Sequence, residues 1–80
     1  MQTFISLSMS NLISPGLYIH YKGNEYQVIG TAKHSETEED LVIYFPIKSP
    51  EQLWVRPLAM FLEYIELNGE KIQRFKKIDQ

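Results

Sequence analysis

The sequence predicts an all-β fold, a small SH3-like barrel or a strongly twisted antiparallel sheet of five to six strands with at most one short helical turn. Three observations predict it. Short runs rich in β-branched and aromatic residues recur along the chain, and such residues suit a pleated, half-buried surface. Gly23-Asn24 and Asn68-Gly69 each separate two of these runs, as two-residue hairpin turns do. Turn residues return about every eight to twelve positions, the spacing of small barrels and rolled sheets.

Length and composition bound the answer further. Eighty residues make one domain. A chain of this size buries only about 60 to 65% of its unfolded surface, so its core is small. There is no cysteine, which excludes a disulfide framework and thiolate metal sites and fits a cytoplasmic protein. The net charge of -2 argues against a dedicated nucleic-acid binder, although Lys71, Arg74, Lys76 and Lys77 make the C-terminus basic.

Residues 1–14 hold four serines among mildly apolar positions and read as an N-terminal arm, poorly ordered or a short helix. They lack the basic start and the small-residue cleavage site of a signal peptide. They are too short and too interrupted to span a bilayer, so no membrane partner is expected. Residues 15–80 read as a single small β domain that opens at Pro15-Gly16.

Strands are predicted near 17–22 and 25–32, joined at Gly23-Asn24. A two-residue turn there pairs Lys22 with Glu25, Tyr21 with Tyr26, His20 with Gln27 and Ile19 with Val28. One face then carries Leu17, Ile19, Tyr21, Tyr26 and Val28. The other carries His20, Lys22, Glu25 and Gln27. The run Leu41-Val42-Ile43-Tyr44-Phe45 suits a strand buried on both faces. Pro46 and Pro50 bracket a loop, and Leu53 to Arg56 is a short strand stopped by Pro57. Leu58 to Leu62 has room for one helical turn, with Met60 and Phe61 as its apolar contacts. Strands at 63–67 and 70–75 close the chain around Asn68-Gly69. That turn pairs Glu63 with Arg74, Tyr64 with Gln73, Ile65 with Ile72 and Glu66 with Lys71, so two opposite-charge pairs follow from the turn alone.

Three blocks carry a family resemblance. They are Gly16-Leu17-Tyr18-Ile19-His20-Tyr21-Lys22-Gly23-Asn24, Ala32-Lys33-His34-Ser35-Glu36-Thr37-Glu38 and Leu53-Trp54-Val55-Arg56-Pro57-Leu58-Ala59-Met60-Phe61. With Arg74-Phe75 added, the chain from about Pro15 to Phe75 resembles the small bacterial proteins grouped as domain of unknown function 1653. The resemblance implies a bacterial protein. It implies no activity, cofactor or catalytic residue.

Two stretches carry the candidate chemistry. The loop from Ala32 to Asp40 holds one imidazole, two hydroxyls and four carboxylates. If the loop is extended, His34, Glu36 and Glu38 share a face at alternate positions and offer nitrogen and oxygen ligands, with His20 as a fourth. The bland alternative is a solvated loop whose histidine bonds its own backbone. No compact motif such as His-Glu-x-x-His is present, so no metal or cofactor is assigned. Ser35 and Glu38 have capping-box spacing, but the helix that should follow is missing.

The second stretch is Trp54-Val55-Arg56-Pro57. Trp54 and Arg56 are two apart and share a strand face. An indole beside a guanidinium recognises planar or anionic groups, and Tyr18, His20 and Tyr44 extend the surface. Against this, a small domain often needs its single Trp in the core. Arg56 is expected to pair with Glu36 or Glu38, which would pin the loop and set His34 beside Trp54.

The sequence thus describes a small cytoplasmic binding module. The expected ligand is a small anionic or planar molecule, a nucleotide or a partner peptide, with His34, Ser35, Glu36, Glu38, Trp54, Arg56, His20, Tyr18 and Tyr44 as the expected binding residues. The alternative is an RNA- or protein-associated accessory domain using the basic C-terminal strand, and after it a metal-dependent hydrolase-type enzyme.

Overall fold

The computed structural model describes residues 13–78, so the expected N-terminal arm lies outside the described residues except for Ile13 and Ser14. The order of elements is β1 (Gly16–His20), β2 (Glu25–Lys33), β3 (Asp40–Pro46), β4 (Trp54–Pro57), one helical turn α1 (Leu58–Phe61), β5 (Tyr64–Leu67), β6 (Glu70–Gln73) and β7 (Phe75–Lys77). Five strands form an antiparallel sheet in the order β4-β3-β2-β1-β7, and β5 and β6 form a separate hairpin. The all-β expectation holds. No barrel closes, because the edge strands β4 and β7 do not pair with each other. Both are short, and Pro57 removes a ladder donor from β4. Among the described residues no helix is long and apolar enough to cross a membrane.

The first hairpin departs from its predicted register. Ile19 faces Glu25 instead of Val28, and Tyr18 faces Tyr26. The loop is Tyr21-Lys22-Gly23, closed by a hydrogen bond from Gly23 N–H to the His20 carbonyl at 2.7 Å and one from His20 N–H to the Asn24 carbonyl at 2.8 Å. Gly23 has φ +106°, a conformation that disfavours a side chain and suits the last position of a three-residue hairpin loop. A slip of an odd number of residues reverses a strand's faces. Tyr18 and His20, expected on the polar face of β1, therefore join Tyr26 and Val28, while Leu17 and Ile19 move to the other face.

The second hairpin has the predicted register, with Tyr64 opposite Gln73, Ile65 opposite Ile72 and Glu66 opposite Lys71. Asn68 and Gly69 both have positive φ, as this turn requires. The strand predicted at 70–75 breaks in two at Arg74. Its N–H donates to the Glu63 carbonyl at 3.0 Å, and its own carbonyl accepts from Tyr21 N–H at 2.9 Å. One residue thereby joins the hairpin to the main sheet, and β7 crosses to pair with β1.

The core lies on one face of the main sheet, beneath α1. Tyr18, Val28, Val42, Tyr44, Leu58, Phe61 and Phe75 are buried. Leu58 and Phe61, three apart on one helical face, point inward, whereas Met60 is exposed, contrary to expectation. Along β3 only Val42 and Tyr44 are buried, and the other residues are partly covered, so this strand is not enclosed on both faces as predicted. A bulge between Val28 and Gly30 leaves Ile29 out of the ladder and half-exposed.

Candidate functional site

The inner face of the sheet ends in a group of rings. Phe61 stacks on Phe75 at 4.0 Å between centroids with their planes 4° apart. His20, Tyr26 and Tyr44 meet Phe75 in edge-on contacts of 4.9, 5.7 and 5.8 Å. Tyr44 and Tyr26 also meet each other edge-on at 5.4 Å. Edge-on packing sets the positive rim of one ring against the negative face of the next.

Arg56 lies across this group. Its guanidinium carbon sits 5.5 Å from the Phe75 ring centroid, and Nε–H donates to the Tyr44 hydroxyl at 3.2 Å. Arg56 makes no ion pair among the described residues, where the two salt bridges are Lys33–Asp40 and Arg74–Glu63. Among the described residues its one side-chain hydrogen bond is that of Nε, and its Nη atoms meet no acceptor. Beside it Trp54 is 50% exposed, so the single Trp is not a core residue.

Tyr26, Tyr44, Pro46, Trp54 and Arg56 together line a cleft of about 200 Å³. It adjoins, across Tyr26 and Pro46, a hollow of about 270 Å³ bounded by Glu25, Ile47 and Lys48. A more open hollow of about 490 Å³ lies between β1 and the β5–β6 hairpin.

The central loop is elsewhere and is folded on itself. Glu38 N–H donates to the His34 carbonyl at 2.8 Å, and Glu38 has φ +63°. His34 Nδ1 accepts from the N–H groups of Glu36 at 3.1 Å and Thr37 at 3.3 Å, so the imidazole, and not the Ser35 hydroxyl, caps this turn. The loop is curled, so the shared face expected of His34, Glu36 and Glu38 does not form. Among the described residues no cluster of three or more His, Asp or Glu side chains could hold a metal. The expected pairing of Arg56 with Glu36 or Glu38 is absent too. The loop enters β3 at Asp40, while Arg56 faces Val42 two residues further along, about 7 Å at strand rise, and Trp54 faces Tyr44, about 13 Å along.

The candidate residues thus separate into groups. Tyr44, Trp54 and Arg56 come together in the cleft. His20 stands behind it, against Phe75. Burial lowers the pKa of His20, and the positive charges of Arg74, Arg56 and Lys22 lower it further. Its Nδ1 accepts from Lys22 N–H at 3.2 Å, which leaves the proton on Nε2. Tyr18 is buried against Phe61, and its hydroxyl donates to the Ser14 carbonyl at 2.8 Å. His34, Ser35, Glu36 and Glu38 remain in the separate loop. Tyr26, Pro46 and Phe75 were missed as site residues. The signal for Tyr26 was available, since pairing it with Tyr18 brings the even-numbered residues of β1 and β2 to one face.

A family model described as protein of unknown function (DUF1653) matches residues 16–77. The chain belongs to the DUF1653 family. A crystal structure of a DUF1653 protein from Bordetella bronchiseptica is similar to this DUF1653 domain at 29% identity and a TM-score of 0.77. That similarity covers 86% of this chain and 91% of the other. No curated protein matches the chain.

Proposed function

We propose that this DUF1653 domain is a binding module whose site is the cleft between Tyr26, Tyr44, Trp54 and Arg56. The ligand class is an anionic group, carboxylate or phosphate, joined to a flat apolar part. The observation that carries this reading is the placement of Arg56. Its Nε end is fixed by the Tyr44 hydroxyl and its Cζ lies over the Phe75 ring, yet among the described residues its Nη groups have no acceptor. A guanidinium held in this way is preorganised to take an anion through two parallel hydrogen bonds. The exposed indole of Trp54 and the ring of Tyr26 supply flat apolar walls for the rest of the ligand.

The test is a chemical-shift titration of the labelled protein with 2-naphthoate and with adenosine monophosphate. Both are expected to move the resonances of Tyr26, Tyr44, Trp54 and Arg56. Shifts confined to Lys76 and Lys77 and abolished by moderate salt would contradict the reading. They would favour the nucleic-acid alternative, because phosphate contacts made by surface lysines weaken steeply with salt.

A further inference from the structure

The open edge of the main sheet lies beside the cleft. β4 pairs with β3 in the register Leu41–Pro57, Val42–Arg56, Ile43–Val55 and Tyr44–Trp54, and among the described residues no strand lies on its other side. Opposed residues in an antiparallel pair alternate between those that exchange both backbone hydrogen bonds and those that exchange none. Pro57 has no N–H, so Leu41 and Pro57 are of the second kind. By alternation Ile43 and Val55 are also of the second kind, while Val42–Arg56 and Tyr44–Trp54 are bonded pairs. Val55 therefore turns its N–H and C=O away from β3, to the open edge. Its side chain is 59% exposed.

Resting on the binding reading above, we infer that the ligand is an extended acidic peptide of a partner protein, which adds to β4 as a further antiparallel strand. The peptide residue opposite Val55 exchanges both backbone hydrogen bonds with it. Its two neighbours oppose Arg56 and Trp54 as non-bonded pairs, with Cα atoms about 4.5 Å apart, where side chains approach most closely. Because the strands run in opposite directions, the residue opposite Arg56 comes first.

The chemistry of the edge then dictates a short sequence, Glu-X-aromatic. Arg56 has no carboxylate partner among the described residues, so a peptide carboxylate completes it. The guanidinium leans inward over Phe75, and glutamate reaches it better than the shorter aspartate. The exposed indole opposite takes an aromatic ring. Pro57 ends the donor side of the edge, which keeps the recognised segment short. A second copy of this chain paired Val55 to Val55 would set Arg56 opposite Trp54 and supply no carboxylate. Main-chain pairing for affinity with side-chain pockets for selectivity is an established mode of peptide capture.

The experiment is calorimetric titration of the protein with the capped pentapeptide acetyl-Val-Glu-Val-Tyr-Val-amide. Two variant peptides accompany it, one with Gln for Glu and one N-methylated at the central Val. The parent peptide is expected to bind, and each variant to bind at least tenfold more weakly. Equal binding of the N-methylated peptide would overturn strand addition. If 2-naphthoate still bound in the cleft, the binding reading would survive that result. Failure of both the peptide and 2-naphthoate would remove both. Sedimentation of the free protein as a dimer sealed through β4 would also overturn the inference, since the edge would then belong to a second copy.

Discussion

The Tyr44 hydroxyl accepts a hydrogen bond from Arg56 Nε–H at 3.2 Å, although the two residues are twelve apart in sequence and on neighbouring strands. Tyr44 is 5% exposed and packed against the rings of Tyr26, Phe61 and Phe75, so its hydroxyl is a fixed point. It orients a charged side chain that would otherwise sample many rotamers. Tyr44→Phe is expected to lower stability by about 1.5 to 3 kcal/mol, the range for a hydrogen bond to a charged group. Urea denaturation measures this. The same change should broaden the Arg56 Nε–H resonance, and an unchanged resonance would mean that Phe75 alone holds the guanidinium.

The ring stack of Phe61 and Phe75 joins α1 to β7. Phe61 is 1% exposed and meets Tyr18, Tyr44 and Phe75. Phe61→Ala is expected to remove about 3 to 5 kcal/mol, a large part of the stability of any small domain. Thermal denaturation should show a transition displaced by tens of degrees or already lost at room temperature. A shift of only a few degrees would mean that the face beneath α1 is not the principal core.

His20 gives a pH dependence of stated sign. Burial and the nearby cations hold its pKa below the ordinary 6.5. In the folded protein the ring stays neutral where the unfolded chain has begun to take a proton. The unfolded state therefore binds more protons as pH falls below 6.5, and stability declines there until the folded-state pKa is reached. Above that window the group contributes no slope. An imidazole proton titration should place the midpoint for His20 below 6.5, and His20→Gln should flatten the pH dependence of stability in that window. A midpoint above 6.5 would contradict the burial of this ring.

The separation of the central loop from the cleft has its own consequence. Arg56 and Glu36 share no contact among the described residues, so their effects should be independent. Arg56→Lys and Glu36→Gln are expected to add in the double variant to within about 0.5 kcal/mol. A coupling above about 1 kcal/mol would restore the loop-pinning arrangement read from the sequence.

The contrast between the two hairpins shows where sequence is legible. Asn68-Gly69 admits one reading, because both residues accept positive φ and the charged pairs on either side agree. Tyr21-Lys22-Gly23-Asn24 admits two. The apolar pattern of β1 favours Leu17, Ile19 and Tyr21 as the inner face, and the three-residue loop Tyr21-Lys22-Gly23 overrides it. That ambiguity hid Tyr18 and His20 from the core side and Tyr26 from the cleft. Arg74 was legible as the partner of Glu63 but not as the point where the chain changes sheets, since its backbone bonds reach both ways. The pairing of Trp54 with Arg56 on one face was legible from their spacing. Their distance from the His34 loop was not, because it depends on the β3–β4 register.

The most direct measurement of the central claim is the affinity of 2-naphthoate for the native protein and for Arg56→Lys, followed through the emission of Trp54, the only tryptophan in the chain. Lysine keeps the charge but loses the planar fork, so a guanidinium that grips an anion through two bonds cannot be replaced by it. The account predicts that naphthoate changes the emission of the native protein and that Arg56→Lys, with its fold intact by circular dichroism, binds at least tenfold more weakly. Equal affinity of the two proteins would contradict it.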